Sequence, residues 1–153
     1  MTRPSNRVKS FKGRVILSGD LEGEALVTHA GFNSLACFYQ SLLAGEKAAI
    51  CSDRGNMELF GKNLTDKIIC LPQGIGSTSA GATWHRAAQV GVLPKAMLFS
   101  KHIDSLTAAG LMLAEVWVGK RVVTIDQLGD EFLDYVKNGD KIAIQAGGIV
   151  TVC

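Results

Sequence analysis

The sequence predicts an α/β domain built on a mixed sheet with helices packed against it. Three observations carry that expectation. Short apolar runs of strand length alternate with segments of helical spacing through the middle of the chain. Both ends read instead as paired strands. Between them, the run Ile68-Ile69-Cys70-Leu71 stops at Pro72 and opens through a glycine turn into a helix. At 153 residues, 47% of them apolar and 20% charged, the chain suits one globular domain with a real core.

The elements follow in order. Phe11 to Leu17 and Glu24 to Thr28 read as strands joined by the turn S-G-D-L-E-G. Residues 31 to 45 carry helical spacing, with Leu35, Phe38, Leu42 and Leu43 on one side and Gly45 as the stop. Ala48 to Cys51 suggests a short strand, and S-D-R-G-N at 52–56 a turn. The strand at 67–71 leads into the glycine turn and a helix near 80–90. Ala96 to Ser100 is an apolar strand after Pro94. Asp104 then caps a helix from Ser105 to Ala114. Val122 to Ile125 is a further strand and Asp130 to Lys137 a short helix. Lys141 to Gln145 and Ile149 to Val152 form a closing hairpin around Gly147-Gly148.

The turn P-Q-G-I-G-S-T-S at 72–79 is where chemistry is expected. A strand end, a glycine turn and a helix start together present unpaired backbone N–H groups at one spot. Glycine permits close approach of a ligand, and Ser77, Thr78 and Ser79 add three hydroxyls. Standard patterns do not fit. A P-loop requires a lysine after its second glycine, a dinucleotide fingerprint requires glycine where Ser79 stands, and G-x-S-x-G is absent. The hydroxyls therefore read either as a helix cap or as an anion or catalytic site, roles that are compatible.

The remaining features restrict the function by exclusion. The net charge is +2, and most of the basic excess lies at Arg3, Arg7, Lys9, Lys12 and Arg14 without an aromatic platform. A solvated arm over residues 1–10 is expected, and no nucleic-acid contact. The polar N-terminus lacks a secretory signal and no run is long enough to span a bilayer, so a cytoplasmic location and no membrane association are expected. Cys37, Cys51, Cys70 and Cys153 and His29, His85 and His102 are scattered without metal-ligand spacing, so no metal is expected on this chain. Cys70 reads as a buried small hydrophobe. Arg54, His85, Arg86, Lys101 and His102 are read either as ligand contacts or as solvated surface.

The stretch G-I-G-S-T-S after an apolar strand, followed by a helix, G-x-x-P-K-A-M-L-F and A-A-G-L-M-L-A-E, resembles the small subunit of aconitase X enzymes. S-D-R-G-N-M-E-L-F-G-K-N-L-T-D-K before it and G-x-x-x-G-E-A-L-V near the N-terminus follow the same family order. The resemblance covers most of residues 12–152 and is most specific at 71–81. It implies a swivelling β/β/α domain like the fourth domain of aconitase, extending over residues 1–153, and a hydro-lyase heteromer active only with a large subunit. That partner is expected to bring an iron or iron-sulfur site.

By motif match the resemblance makes Ser77 the base that removes a proton next to a carboxylate. It makes Gly76, Thr78, Ser79, Ser34 and Asp53 the residues around a small hydroxy-acid substrate. After A-L-V the chain keeps Ser34 but lacks the family's paired glycines and Asp-Pro. The expected substrate is cis-3-hydroxy-L-proline, because no basic pocket for a phosphate is visible in the sequence. The alternative is mevalonate 5-phosphate or another small hydroxy acid. A different class also fits: a non-catalytic anion-binding or docking module, with the 105–114 helix and Trp84 or Trp117 as its docking face.

Overall fold

The computed structural model describes residues 8–76 and 78–153. Among the described residues, ten strands and four helices run in chain order. They are β1 (Lys9–Lys12), β2 (Arg14–Leu17), β3 (Leu21–Val27), β4 (Phe32–Asn33), α1 (Ser34–Ala44), β5 (Ile68–Leu71) and β6 (Gly74–Ile75). They continue as α2 (Ala80–Val90), β7 (Ala96–Phe99), α3 (Ser105–Val118), β8 (Val123–Asp126), α4 (Asp130–Tyr135), β9 (Lys141–Gln145) and β10 (Ile149–Val152). Eight strands form one sheet in the order β1-β10-β9-β3-β5-β7-β8-β2, and β4 and β6 form a separate parallel ribbon. The pairs β3/β5, β5/β7 and β7/β8 are parallel, and the outer pairs are antiparallel.

Strands β1 and β2 stand at opposite ends of that order, yet only Gly13 separates them in the chain. The sheet therefore wraps round and closes at this residue, which leaves no long free edge. The N–H of Gly13 donates to Gly148 O at 3.1 Å. A Cβ at Gly13 would sit 2.5 Å from the Asp126 carbonyl oxygen, so no side chain fits the closure.

Alternation along the parallel strands sorts their side chains into two apolar layers. Ala25, Val27, Ile68, Cys70, Ala96 and Leu98 point to the inner layer, which Phe132 and Leu133 of α4 plug. Leu26, Ile69, Leu71, Met97 and Phe99 point the other way, onto α1, α2 and α3. Trp84 is fully buried there, stacked on Phe32 at 6.0 Å and edge-on to Phe38 at 5.3 Å. This layer fixes the helices on one side of the sheet and so positions the loops at the C-terminal ends of β3, β5 and β7.

Several boundaries differ from the sequence expectation. Phe11 to Leu17 is broken at Gly13. Lys9 and Ser10, read as part of an arm, lie in β1 paired with β10, while residues 1–7 fall outside the described residues. The 31–45 helix starts at Ser34, because Phe32 and Asn33 pair with Gly74 and Ile75. Ala48 to Cys51 contributes only a single bridge, Ile50 with Asn63. Helix α3 runs four residues beyond Ala114, to Val118. Trp84 is core rather than docking surface, whereas Trp117 is 69% exposed. Among the described residues no helix is long and apolar enough to cross a membrane.

Candidate functional site

The C-terminal ends of β3, β5 and β7 converge with the ribbon β4/β6 on one edge of the sheet. The glycine turn leaves β5 there, and the backbone of Phe32 donates to Gln73 O at 2.9 Å. Gly74 is held by α3. Its N–H donates to Asp104 Oδ1 at 2.8 Å, and Asp104 Oδ2 accepts from Thr107 N and Thr107 Oγ1. A Cβ on Gly74 would lie 2.1 Å from Thr107 Oγ1 and 2.6 Å from Asp104 Oδ1. Only glycine can occupy the position, so the helix cap and the turn are one packed unit.

Gly76 adopts φ +112°, a conformation that L side chains rarely take. A Cβ there would stand 2.9 Å from the Asn33 amide carbon. Asn33 is also the N-cap of α1, its Oδ1 accepting from Ala36 N at 3.1 Å. One side chain thus starts a helix and seats the glycine turn.

Thr78 and Ser79 are exposed at the entry to α2. Ser79 holds the N-cap position with φ −77° and ψ 0°, and its side chain makes no cap hydrogen bond to the helix. Its carbonyl oxygen accepts from Thr83 N at 3.2 Å. Ser77, the expected base, lies outside the described residues.

Beside Asn33 opens a cleft of ≈ 420 Å³ between the first turns of α1 and the 52–55 turn. Leu35, Tyr39, Asp53 and Arg54 line it. Asp53 shapes its own turn, Oδ1 accepting from Gly55 N at 2.9 Å. Ser52 clamps that turn to α1, its Oγ donating to Ala36 O at 2.6 Å. Arg54 also borders a second cleft of ≈ 600 Å³ and packs over the Phe60 ring at 5.5 Å. Asn33, Asp53 and Arg54 therefore line one cleft, and Asn33 links it to the glycine turn at Gly76. Ser34 does not share it: the first residue of α1, it is only 4% exposed.

Two polar clusters brace this edge. Asp126 at the end of β8 is fully buried and receives Arg14 through Nε at 2.9 Å and Nη2 at 2.7 Å, together with the Ile103 N–H at 2.8 Å. Burial pushes the Asp126 carboxyl up, but the hydrogen bonds from Arg14 and Ile103 outweigh it and hold the group below its ordinary value. Ile103 is thereby fixed one residue before Asp104, the acceptor of Gly74. His102, read as a possible ligand contact, meets Arg14 Nη2 at 3.2 Å and Ile103 O at 2.7 Å. In the second cluster Glu58 accepts from His29 N and Thr28 Oγ1 and pairs with His29 Nδ1 at 2.8 Å. Burial raises Glu58 while the His29 contacts lower it, leaving it net lowered.

Asn33 and Asp104 are the site-building residues that sequence reading did not place at the site. Asp104 was legible as a cap but not as the acceptor for Gly74. Asn33 stands just before Ser-Leu-Ala, the position a helix cap takes, and starting the helix at 31 hid it.

Comparison with known proteins agrees with this fold. The model of the aconitase X swivel domain matches residues 10–152. The phosphomevalonate dehydratase small subunit of Archaeoglobus fulgidus is 29% identical over 136 residues, covering 89% of this chain and 92% of that protein. The protein of the same name from Thermococcus sibiricus is 30% identical over 106 residues, covering 69% of this chain and 75% of its own. The crystal structure of Thermococcus kodakaraensis aconitase X in its holo form shares the fold, with a TM-score of 0.78 at 23% identity over 95% of this chain and 98% of that one. The chain belongs to the aconitase X swivel-domain family.

Proposed function

We propose that this chain, as the small subunit of an aconitase X-type dehydratase, acts with a large subunit on mevalonate 5-phosphate. The observation that carries the choice of substrate is the shared name of the relatives, phosphomevalonate dehydratase small subunit. It displaces the expectation of cis-3-hydroxy-L-proline, which rested on the lack of a visible basic pocket. Arg54 answers that objection, since it brings a guanidinium to the cleft shared with Asn33 and Asp53.

In this reading Ser77 removes a proton from the carbon next to the substrate carboxylate. The electron pair left on that carbon forms the double bond as hydroxide departs from the neighbouring carbon. A serine hydroxyl is a weak base in water, so its anion requires N–H donors and the N-terminal end of α2 close by. Gly76 gives the turn its left-handed backbone against Asn33, and Thr78 and Ser79 offer further donors. Arg54 takes the phosphate as a charge-assisted partner. Among the described residues no three His, Cys, Asp or Glu side chains converge as metal ligands. An iron site, which would assist departure of the hydroxyl, is assigned to the large subunit.

The test is the co-purified heteromer, assayed anaerobically with both candidate substrates. The expected result is turnover of mevalonate 5-phosphate and none of cis-3-hydroxy-L-proline. Arg54→Ala should raise KM for the phosphate substrate about tenfold or more, since a hydrogen bond to a charged group contributes about 1.5–3 kcal/mol. Turnover of the proline alone would overturn the substrate assignment.

A further inference from the structure

The four cysteines are far apart in sequence, but the fold brings two of them together. Cys37 on α1 and Cys51 in the loop before the Asp53 turn are both buried in the outer apolar layer, at 0% and 2% exposure. Ser52, the neighbour of Cys51, donates its Oγ to Cys37 O at 3.4 Å. The backbones are tied as well, since Ser52 N donates to Cys37 O at 3.1 Å. Cys51 also forms part of the wall of the ≈ 600 Å³ cleft, which gives a small solute a route to that side of the pair. Cys70 sits apart in the inner layer and Cys153 is exposed at the chain end.

The two thiols are not equivalent. Cys51 is lowered by the Cys37 thiol that donates to it, against the effect of burial, with the Asp53 backbone assisting. Cys37 is raised, first by that same contact and then by burial. Cys51 is the member of the pair on the cleft wall, so a peroxide reaches it first; that makes Cys51 the attacking cysteine and Cys37 the resolving one.

We propose that Cys37 and Cys51 form a dithiol that a peroxide oxidises to a reversible disulfide joining α1 to the Asp53 loop. The Cys51 thiolate attacks one peroxide oxygen, forming an S–O bond as the O–O bond breaks and hydroxide leaves. Cys37 then attacks the resulting sulfenic sulfur, forming the S–S bond as the S–O bond breaks. With the protons shed by the thiols, both departing hydroxides become water. Two thiols are oxidised by two electrons and one hydrogen peroxide is reduced to two waters.

The test uses the full chain carrying Cys153→Ser, which removes bridging between molecules. The reduced protein is treated with hydrogen peroxide, denatured, alkylated with iodoacetamide and digested with trypsin. Cleavage after Lys47 separates the two cysteines, so the bridge appears as a linked pair of peptides ending at Lys47 and Arg54. The expected result is that linked pair, one remaining alkylated thiol at Cys70, and recovery of all three thiols with dithiothreitol. Cys51→Ser should leave Cys37 alkylatable after the same treatment, and Cys51→Ala serves equally if the serine variant misfolds. Retention of three thiols at peroxide levels that oxidise free glutathione would overturn the proposal. So would a bridge to Cys70, or oxidation of Cys51 to sulfinic acid without a bridge.

Discussion

Asn33 couples the start of α1 to the seat of Gly76, and the two roles separate by substitution. Asn33→Ala removes the cap and should cost about 1 kcal/mol of stability. Asn33→Asp keeps an acceptor for Ala36 N but sets a negative charge against the turn proposed to hold an anion. Chemical denaturation should show near wild-type stability for the aspartate variant, while the heteromer loses turnover by an order of magnitude or more. Equal losses in both quantities would reduce Asn33 to a cap. Arg14 makes a prediction in pH. Asp126 is held below its ordinary value of 3.8, so its contribution to stability is full above that value and fades as pH falls through the lower folded value. Arg14→Ala leaves a buried carboxylate without its cation and should lower stability at neutral pH. Its acid unfolding should also begin at a higher pH than that of the wild type, as read by circular dichroism across a pH series. An unchanged acid limb would show that Arg14 does not govern Asp126.

Helices α2 and α3 meet where Gly110 faces Trp84, and a Cβ at Gly110 would stand 2.5 Å from the indole Cδ1. Replacing a helix-interior glycine by alanine ordinarily gains up to about 1 kcal/mol. Gly110→Ala should instead lower stability, by about 1–3 kcal/mol, because the wedge forces overpacking against a buried tryptophan. A melting temperature at or above wild type would mean the two helices have slack. At this scale most elements were legible in the sequence. The apolar runs at 68–71, 96–99 and 123–126 and the Asp104 cap depend on local pattern alone, and they fall within a residue or two of the expectation. The Ala48 to Cys51 strand failed because its alternation has no partner strand beyond one bridge. The split at Gly13 and the β4/β6 ribbon were invisible because both arise from pairing across long separations. The site divides in the same way. The glycine turn was readable from its own residues, whereas the Asn33, Asp104 and Arg54 arrangement and the Cys37–Cys51 contact exist only once the chain is folded.

The whole molecule is a closed sheet with three helices on one flank and a glycine turn on one edge. Ser77, the proposed base, belongs to that turn, and Leu35 and Tyr39, 39% and 48% exposed, line the cleft beside it. That cleft is open to water, so the account requires a large subunit to cover this edge and exclude solvent. The most direct measurement is single-turnover dehydration of mevalonate 5-phosphate by the heteromer, with wild-type chain and Ser77→Ala compared at equal occupancy of both subunits. The account predicts an assembled Ser77→Ala complex that binds substrate and dehydrates it several orders of magnitude more slowly. An assembled complex that turns over at the wild-type rate without the Ser77 hydroxyl would contradict it.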